Sequence, residues 1–561
     1  MQTTFKIWLV GAALGLGCSG TIGDSGPAGG SGASDPGMST ANPNGTAPSG
    51  ATAGPNALRR LGRQELTNTL ADLFPTLPAG FGATLDLPDD NVIPLAFAEP
   101  GTVSDLEVKR FMDLSEATIA ALGANQPGKQ VACAGVDDDT CARGFITSFG
   151  KRAFRRPVDP AEVGDLMALY TKLRTDPDMN YPLPDALGIV AEAILQSPGF
   201  LYRWEQGLTA PTVDHGLVKL DNYEIASRLS YFLWNSMPDA ALMAAADASH
   251  LASPDDVAAQ ARRLLDDPRG DQALADFVAQ WLELGPLSTS LKDATAYPTF
   301  KPELLASMLN ESTAFARDVL RGGAPTFANL LTAPYTIVDG PLAAYYGVKP
   351  DASGRVDLTG TGRAGILTQG SLMAVKGNSY RTSPVRRGKF VLNRMLCTII
   401  PPPPPNAVPE LPAPDPSKTL RQQMAEHRDN ASCAVCHAVM DPIGFSFEHF
   451  DGAGNYRSDD HGQAIDASGT IDLDGATVSF QDVSGLAGAL ASSPEARDCF
   501  VKQWVRYALD RFEQPADAAA VEHLKSFYQQ SGFNTRDLIV EITRTLSFSH
   551  RAIAEGEGLT P

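Results

Sequence analysis

The sequence predicts a mostly α-helical protein of several domains, with a polyproline strap and a small irregular or hairpin segment. The chain has 561 residues, which is long for one hydrophobic core, so several domains are expected. Apolar residues recur at the three- and four-residue spacing of an amphipathic helix through most of the chain. Strand-like alternation is scarce, and a hairpin is predicted only in the turn-rich stretch 462–480.

The first 18 residues have the pattern of an export signal. A weakly basic start leads into the apolar run Ile7–Leu16, which is too short to span a bilayer as a mature helix. Cys18 then stands where a bacterial lipoprotein signal places its lipidated cysteine, and one lipid anchors a chain without crossing the membrane. The alternative is a cleaved signal with Cys18 removed or incidental, because Gly15 replaces the usual leucine three residues earlier.

Residues 19–56 predict a flexible linker. They consist mainly of Gly, Ser, Ala, Thr, Pro and Asn, and such a composition cannot bury enough apolar surface to fold. A linker directly after a lipid-site cysteine would hold the folded part of a surface lipoprotein away from its membrane. The formal net charge of −20 argues against a nucleic-acid partner, which would require a basic surface.

A series of amphipathic helices is predicted after residue 56. Helical spacing begins in Leu58–Phe74 and returns over 104–122. In a second unit, Pro157 ends one helix and Asp159-Pro160 begins the next. Further helices are predicted at 222–234, 255–265, 271–284 and 302–320.

The last third of the chain has a different pattern. Prolines crowd the stretch 401–416 and predict an extended polyproline II strap between two packed units, with partner binding as the alternative. A helix from Leu420 leads into a cysteine motif, and a last helical pair is predicted at about 482–513 and 515–552. The predicted divisions are a signal with its lipid-site cysteine (1–18), the linker (19–56), an N-terminal helical domain (57–125), a helical domain with a cysteine loop (126–205), a central helical domain (206–355), a heme-binding domain with the strap (356–480) and a C-terminal helical domain (481–561).

Seven cysteines occur in the chain, and an exported protein meets an oxidising environment in which disulfides persist. The short loop between Cys133 and Cys141 predicts a local disulfide. The pair Cys397–Cys499 is assigned by elimination only, because connectivity cannot be deduced from spacing.

The segment Cys433-Ala-Val-Cys436-His437 matches the Cys-x-x-Cys-His pattern of covalent heme attachment. Two cysteines three residues apart on a helical turn can both form thioethers with one heme, and His437 is then placed as the proximal iron ligand. The motif therefore predicts one heme c and requires export, which the N-terminus predicts independently. The alternatives are a zinc site, which needs a second ligand pair, a redox dithiol and a chance match without cofactor.

The sixth iron ligand decides what such a heme does. No methionine follows Met440, so the downstream methionine ligand of a small cytochrome c is excluded. Met440 lies on the same helical face as His437 and is expected to pack nearby. A six-coordinate iron passes electrons, whereas an open position permits peroxide or oxygen chemistry. The other candidate ligands are His427, His449, His461, His523, His550, Met373 and Met424.

Aromatic, acidic and basic residues surround the motif. Phe445, Phe447 and Phe450 are expected to pack on the heme. Arg386 and Arg387 either pair with the heme propionates or are solvated residues of a helix capped at Ser383-Pro384; the two alternatives have equal weight. The acidic residues are expected to cap and form turns, with support of the heme ligands or cation binding as the alternative; they are Asp441, Glu448 and Asp451. No nucleophile elbow or serine triad is visible.

Taken together, these motifs resemble a large family of exported bacterial proteins built from a fixed string of domains of unknown function. The resemblance covers about 57–553, and its most specific parts are the Arg381–Lys389 block, the strap and Cys-x-x-Cys-His followed by Met-Asp-Pro-x-Gly-Phe. It implies a large c-type cytochrome, often a lipoprotein or secreted, that works beside a second exported protein. It implies no substrate. The stretches that carry it are 58–74, 149–157, 222–234, 364–405, 427–451 and 501–512.

Three functions are consistent with this pattern. The first is electron transfer through one heme to a redox partner protein in the periplasm or at the cell surface. The second is a heme-dependent oxidative enzyme, peroxidase- or oxygenase-like, acting on an extracellular substrate; the long helical N-terminal half favours it, because a pure carrier needs far fewer residues. The third is a binding or scaffold lipoprotein with a structural heme. Site chemistry, rather than fold, distinguishes them.

Overall fold

The structure is a computed structural model that describes residues 59–87, 91–92, 98–99, 105–131, 133, 135–207, 213–214, 217–401, 415, 417–427 and 431–553. All of them belong to the unit Pro48–Pro561. Helices dominate these residues and the strands are short, which confirms the mostly α-helical, multi-domain fold. The predicted signal with Cys18, the linker 19–56 and most of the proline strap lie outside the described residues.

The helices before residue 207 pack around α6, whose Leu187, Val190 and Ile194 are fully buried. The predicted start of α5 is confirmed, since the backbone N–H of Asp159 donates to the Glu162 carboxylate over 2.9 Å, as in a capping box. The helices of this part are α1 (Arg63–Leu73), α2 (Asp105–Leu122), α3 (Pro127–Gln130), α4 (Asp138–Phe154), α5 (Pro160–Thr175), α6 (Leu183–Gln196) and α7 (Pro198–Leu201).

The central helices follow the predicted apolar pattern. The helix predicted at 222–234 forms over those same residues, because Asp221 caps it by accepting from the backbone N–H of Glu224 over 2.8 Å. These helices are α8 (Asn222–Trp234), α9 (Ala240–Asp247), α10 (Pro254–Asp266), α11 (Gly270–Trp281), α12 (Leu304–Arg321), α13 (Phe327–Thr332) and α14 (Gly340–Tyr346).

The next helices bring the cysteine motif onto the core; they are α15 (Gly370–Lys376), α16 (Pro384–Phe390), α17 (Leu420–His427) and α18 (Ala431–Phe445). Two glycines let α16 and α18 cross in backbone contact. A Cβ atom on Gly388 would lie 2.0 Å from the Met440 carbonyl oxygen, and one on Gly444 would lie 2.0 Å from the Pro384 carbonyl oxygen. Only glycine fits at such a crossing. Helix α16 continues into a π-helical turn over Val391–Met395.

The predicted C-terminal helical pair is wrong in detail, because both stretches are broken. Ser493 caps a new helix at Pro494. Gly532 and Phe533 have positive φ angles of 68° and 64°, and Asn534 caps the helix that follows. The resulting helices are α19 (Val483–Ser492), α20 (Pro494–Leu509), α21 (Ala518–Gln530), α22 (Thr535–Ile542) and α23 (Leu546–Ser549).

The strands are two to five residues long and pair antiparallel. The predicted hairpin in 462–480 is present as β11 and β12, joined at Asp474-Gly475, where both φ angles are positive. The pairs are β1 (Arg59–Arg60) with β4 (Tyr202–Arg203), β2 (Asn91–Val92) with β3 (Ala98–Glu99), β5 (Val213–Asp214) and β13 (His550–Ala552) on either side of β6 (Leu217–Lys219), β7 (Tyr335–Ile337) with β8 (Arg355–Asp357), β9 (Asp459–Asp460) with β10 (Gln463–Ala464), and β11 (Gly469–Leu473) with β12 (Ala476–Phe480).

Two large hydrophobic clusters and a smaller third one form the interior of the described residues. The N-terminal core draws on α1, α2 and α4 to α7 and reaches Tyr231 and Met237. The main core runs from Leu220 to Phe548 and includes residues of α18. The predicted central, heme-binding and C-terminal domains therefore share one core, and α18 is anchored in it.

Both predicted disulfides are present: Cys133–Cys141 and Cys397–Cys499 each join Cα atoms 5.5 Å apart, within the usual range for a disulfide. The second links the end of the π-helical turn to α20, two elements separated by 102 residues in sequence. Among the helices that the structure describes, none is both long and apolar enough to cross a membrane.

Candidate functional site

The candidate site is one helix with two environments. In the first half of α18, here the motif half (433–439), Val435 and Val439 are 75% and 50% exposed. In the second, here the core half (440–445), Ile443 and Phe445 are at most 1% exposed. The helix is thus fixed at one end by the core and presents the cysteine motif at the other. The side chain of Cys433 lies outside the described residues.

His437 is held by a carboxylate one helical turn later. Its Nδ1 lies 3.0 Å from Oδ1 of Asp441, which is fully buried. A histidine that binds a metal through one ring nitrogen usually donates its other ring N–H to such a carboxylate, which fixes the tautomer and the ring orientation. His437 itself is 16% exposed. This arrangement is the support that a proximal iron ligand needs.

The donor set fits a heme c better than a zinc ion. Cys436 is a free, half-buried cysteine at the edge of the main core. Cys397 and Cys499, which could otherwise supply the second ligand pair of a zinc site, form the predicted disulfide and cannot act as thiolate ligands. Within the described ranges, no group of three His, Cys, Asp or Glu side chains is placed to hold a metal ion. Cys433, Cys436 and His437 are the residues that would hold a heme.

Arg387 does not face solvent. Its guanidinium is buried, lies 3.2 Å from Glu448 Oε1 and donates to the carbonyl oxygens of Phe447, Phe450 and Asp451. Burial raises the pKa of Glu448, and the guanidinium groups of Arg387 and Arg457 oppose that rise. The solvated alternative is therefore wrong for Arg387, because its guanidinium is buried in an internal ion pair that joins α16 to the segment after α18, and pairing with a heme propionate stays a prediction.

Of the other two acidic residues near the motif, Asp451 supports a turn, whereas Glu448 forms ion pairs with Arg387 and Arg457 instead of the predicted cap or turn. Asp451 Oδ1 accepts from the backbone N–H groups of Ala453 and Asn455 over 2.8 and 2.9 Å, as predicted for a turn residue. Glu448 also accepts from Thr382 Oγ1 over 2.9 Å. Asp441 differs from both, since it alone of the three contacts the histidine of the motif.

The residues expected around the heme lie mostly inside the protein. Phe447 and Phe450 are fully buried in the main core, and Met440 is 5% exposed within it. Phe445 is 1% exposed, with the Arg421 guanidinium carbon 4.3 Å from its ring centre. These side chains have no free surface to offer a heme in this conformation, because they are used to anchor the core half of α18.

The candidate sixth ligands are dispersed. Met373 and Met424 are buried, and the side chain of His427 lies outside the described residues. The remaining histidines have polar neighbours of their own: His449 Nδ1 with the Arg457 carbonyl oxygen at 3.0 Å, His461 Nε2 with Asp460 Oδ1 at 3.9 Å, His523 Nε2 with Glu541 Oε1 at 2.8 Å and His550 Nδ1 with Ser549 Oγ at 2.9 Å.

Arg386 agrees with the solvated alternative, since α16 begins at Pro384 with Ser383 as its cap. It is exposed on α16 and lines a cavity of about 950 Å³ together with Lys389 and Phe390. This cavity could not be predicted from the sequence, because its wall combines residues of 276–293, 375–379 and 386–393. These ranges share no motif. The only signal was the concentration of three cations in 386–389 of an acidic chain.

Four family models match consecutive parts of the chain. Each is described as a protein of unknown function: DUF1595 matches 141–205, DUF1592 matches 220–348, DUF1588 matches 363–460 and DUF1585 matches 477–548. The third contains α16, α18 and the whole Cys433–His437 motif. The matches indicate a cytochrome-like domain family of unknown function.

The four matched models agree with the predicted string of domains of unknown function. The heme itself stays a prediction. No curated protein and no solved structure matches the chain significantly. The case for a cofactor in this chain therefore depends on its own motif half and on the support that Asp441 gives to His437.

Proposed function

We propose that this protein is an exported, c-type-cytochrome-like lipoprotein that transfers electrons through one covalently bound heme. The observation that carries the proposal is the motif half of α18, in which His437 is oriented by the buried Asp441 while the neighbouring Val435 stays 75% exposed. A metal ligand fixed from behind by a buried carboxylate and flanked by exposed apolar residues has the arrangement expected of a cofactor-bearing surface.

Each residue of the motif half has a distinct task in this proposal. Cys433 and Cys436 form the thioethers, and His437 binds the iron. Asp441 accepts a hydrogen bond from the Nδ1–H group of His437. This bond fixes the tautomer in which the other ring nitrogen is free to bind iron, and it raises the basicity of the imidazole. A heme bound there supplies a one-electron redox centre whose potential is set by its ligands and burial.

Exposure of the motif half favours electron exchange with another protein. Val435 and Val439 are among the most exposed large apolar residues of the described chain. Electron-transfer contacts are small and transient, and exposed apolar residues beside a redox centre suit them. The partner is a redox protein, and the family resemblance points to the second exported protein that accompanies such chains.

Export is supported by the disulfides Cys133–Cys141 and Cys397–Cys499, because disulfides persist outside the reducing cytoplasm. The Cys18 signal would add a lipid anchor in the outer or cytoplasmic membrane. Replacement of Cys18 by serine should release the protein from the membrane fraction, and an unchanged distribution would contradict lipidation there.

The central experiment uses the full exported chain. Its reduced and oxidised visible spectra are recorded with and without carbon monoxide, after denaturation has shown that the heme is covalent. We expect a low-spin spectrum that carbon monoxide does not alter. Rapid binding of carbon monoxide would instead favour the second candidate, a heme-dependent oxidative enzyme, for which the large helical remainder of the chain argues. A chain without covalent heme would contradict both.

A pair of histidine variants tests the ligand assignment. His437→Ala should abolish the low-spin spectrum and lower heme retention. His250→Ala, which removes an exposed histidine that is not among the candidate ligands, should leave the spectrum unchanged. A normal spectrum from His437→Ala would show that the iron has another proximal ligand.

A further inference from the structure

The cavity beside α16 has the size and lining of a small-molecule site. Its volume of about 950 Å³ lies at the upper end of the range of ligand pockets, roughly 300–1,000 Å³. The walls come from the end of α11 and the loop after it, from the end of α15, and from α16 with the π-helical turn. Such π-helical turns are rare overall, but those that occur are often found at functional sites.

Two cations of the wall have no carboxylate partner among the described residues. Arg386 is exposed and Lys389 half-buried, and neither takes part in an ion pair within this part of the chain. Both lie on the face of α16 that lines the cavity, whereas Arg387 and Gly388 face α18 and the segment after it. In a chain with a net charge of −20, two unpaired cations on one cavity wall are unusual.

A third cation, Lys292, completes the positive wall. Its Nζ donates to the carbonyl oxygens of Ala374 and Asn378 over 2.8 and 3.1 Å, and an ammonium group has three N–H donors. Burial, followed by the nearby guanidinium of Arg387, lowers the pKa of Lys292 to about 8. An anion in the cavity would accept the third N–H of Lys292. It would also favour the charged amine and so oppose the lowering of its pKa.

The carboxylates of the wall are already engaged. Glu283 is paired with Lys376 and with Arg394, whose Nε lies 2.8 Å from Glu283 Oε1. Asp276 Oδ2 accepts from Gln280 Nε2 over 2.7 Å and from Tyr507 Oη over 3.0 Å, and burial raises the pKa of Asp276. The negative charges therefore do not cancel those of Arg386, Lys389 and Lys292.

Apolar residues also line the cavity, beside uncharged polar ones. Leu291 is 63% exposed at the cavity, and Val375, Pro286 and Phe390 line it as well. A purely inorganic anion would leave these residues against water. An organic molecule with an apolar body and one anionic group would cover them and meet the cations at the same time.

We propose that the cavity between α11, α15 and α16 binds an amphipathic organic anion, such as an aromatic carboxylate or sulfonate, with Arg386 and Lys389 holding the anionic group and Leu291 and Phe390 contacting the apolar body. The proposal is independent of the heme, because no residue of the motif half lines the cavity.

The test uses the purified full chain and two fluorescent dyes. The anionic dye 8-anilino-1-naphthalenesulfonate and its uncharged analogue N-phenyl-1-naphthylamine share the same aromatic body, so their comparison isolates recognition of the charge. Arg386→Gln/Lys389→Gln should weaken binding of the sulfonate by about tenfold or more, as loss of two charge-assisted hydrogen bonds implies. Binding of the uncharged analogue should be unchanged.

The matched control is Lys301→Gln/Lys349→Gln, which removes two exposed cations outside the cavity. It should leave both dyes bound as in the original protein. Three results would overturn the proposal: wild-type affinity of Arg386→Gln/Lys389→Gln for the sulfonate, an equal loss of both dyes, or an equal loss in the control variant. The last would mean that the sulfonate responds only to the overall charge.

Discussion

The two halves of α18 differ from each other in exposure and in the residues they carry. The motif half holds a free cysteine, the histidine and exposed valines, whereas the core half packs against α16 through glycine contacts and buries Met440, Ile443 and Phe445. The motif half therefore carries the predicted heme-attachment residues, and the core half fixes the helix in the protein interior. Asp441 is the exception, since it belongs to the buried half and contacts the histidine of the other.

The largest effect is expected from removing both motif cysteines. Cys433→Ser/Cys436→Ser should lose covalent heme completely, because no thioether can form. The free energy of unfolding should change little, since the motif half contributes little to the core. Heme staining after denaturing electrophoresis and the intact mass measure the first, and denaturant unfolding the second. Cys133→Ser/Cys141→Ser is the control: it should keep the heme and lose stability. Covalent heme in the first variant would contradict the comparison.

The opposite result is expected at the helix crossing. Gly388→Ala places a methyl group against the Met440 carbonyl oxygen and should cost about 3 kcal/mol of the free energy of unfolding, as overpacking does. The heme spectrum of the folded protein should not change. Gly488→Ala on α19, where a Cβ meets nothing within 4 Å, should stabilise the helix by about 1 kcal/mol. Similar losses in both variants would show that the close crossing is not what matters.

Titration of the buried Glu311 should change the free energy of unfolding with pH, and the heme spectrum should not follow the same pH dependence. Glu311 on α12 is fully buried and accepts from Tyr346 and Thr336, and burial raises its pKa from 4.5 to about 7. The folded state therefore holds more protons than the unfolded state between these values, so the stability from Glu311 is full below pH 4.5 and is lost as pH rises through about 7.

The measurement is the difference in unfolding between the original protein and Glu311→Gln as a function of pH. Over that window the original protein should lose about 3 kcal/mol relative to the variant. Because other carboxylates titrate equally in both proteins, the difference isolates Glu311. Parallel pH profiles would contradict the assignment, and a heme spectrum that followed the same titration would break the separation between core and motif half.

The smallest effect tests the residue that joins the two halves. Asp441→Asn should raise the reduction potential of the heme, because a neutral partner makes His437 a weaker electron donor. The shift expected is about 59 mV or less, which corresponds to a tenfold change in the relative stability of the two oxidation states. Redox titration followed by the visible spectrum measures it. Asp459→Asn, on an exposed strand residue, should give no shift, and equal potentials in all three proteins would exclude a role for Asp441.

Much of the helical fold was predictable because its signals are local. The spacing of apolar residues with Asp221 as cap was enough to place α8, and Asp159-Pro160 was enough to start α5. The C-terminal helices were predicted too long, because the turn at Gly532-Phe533 requires a positive φ at a phenylalanine, which residue type does not signal.

The sequence by itself determined the helical class and indicated a local Cys133–Cys141 disulfide, whereas the pair Cys397–Cys499 followed only by elimination and the heme at Cys433–His437 stays a prediction. Each depends on nearby residues or on the small number of cysteines. Only the tertiary structure decided that Asp441 supports His437, that Arg387 is buried with Glu448 while Arg386 lines a cavity, and that Phe447 packs in the core. The reason is that neighbours along a helix alternate between faces, and what each face meets is set by segments far away in the chain.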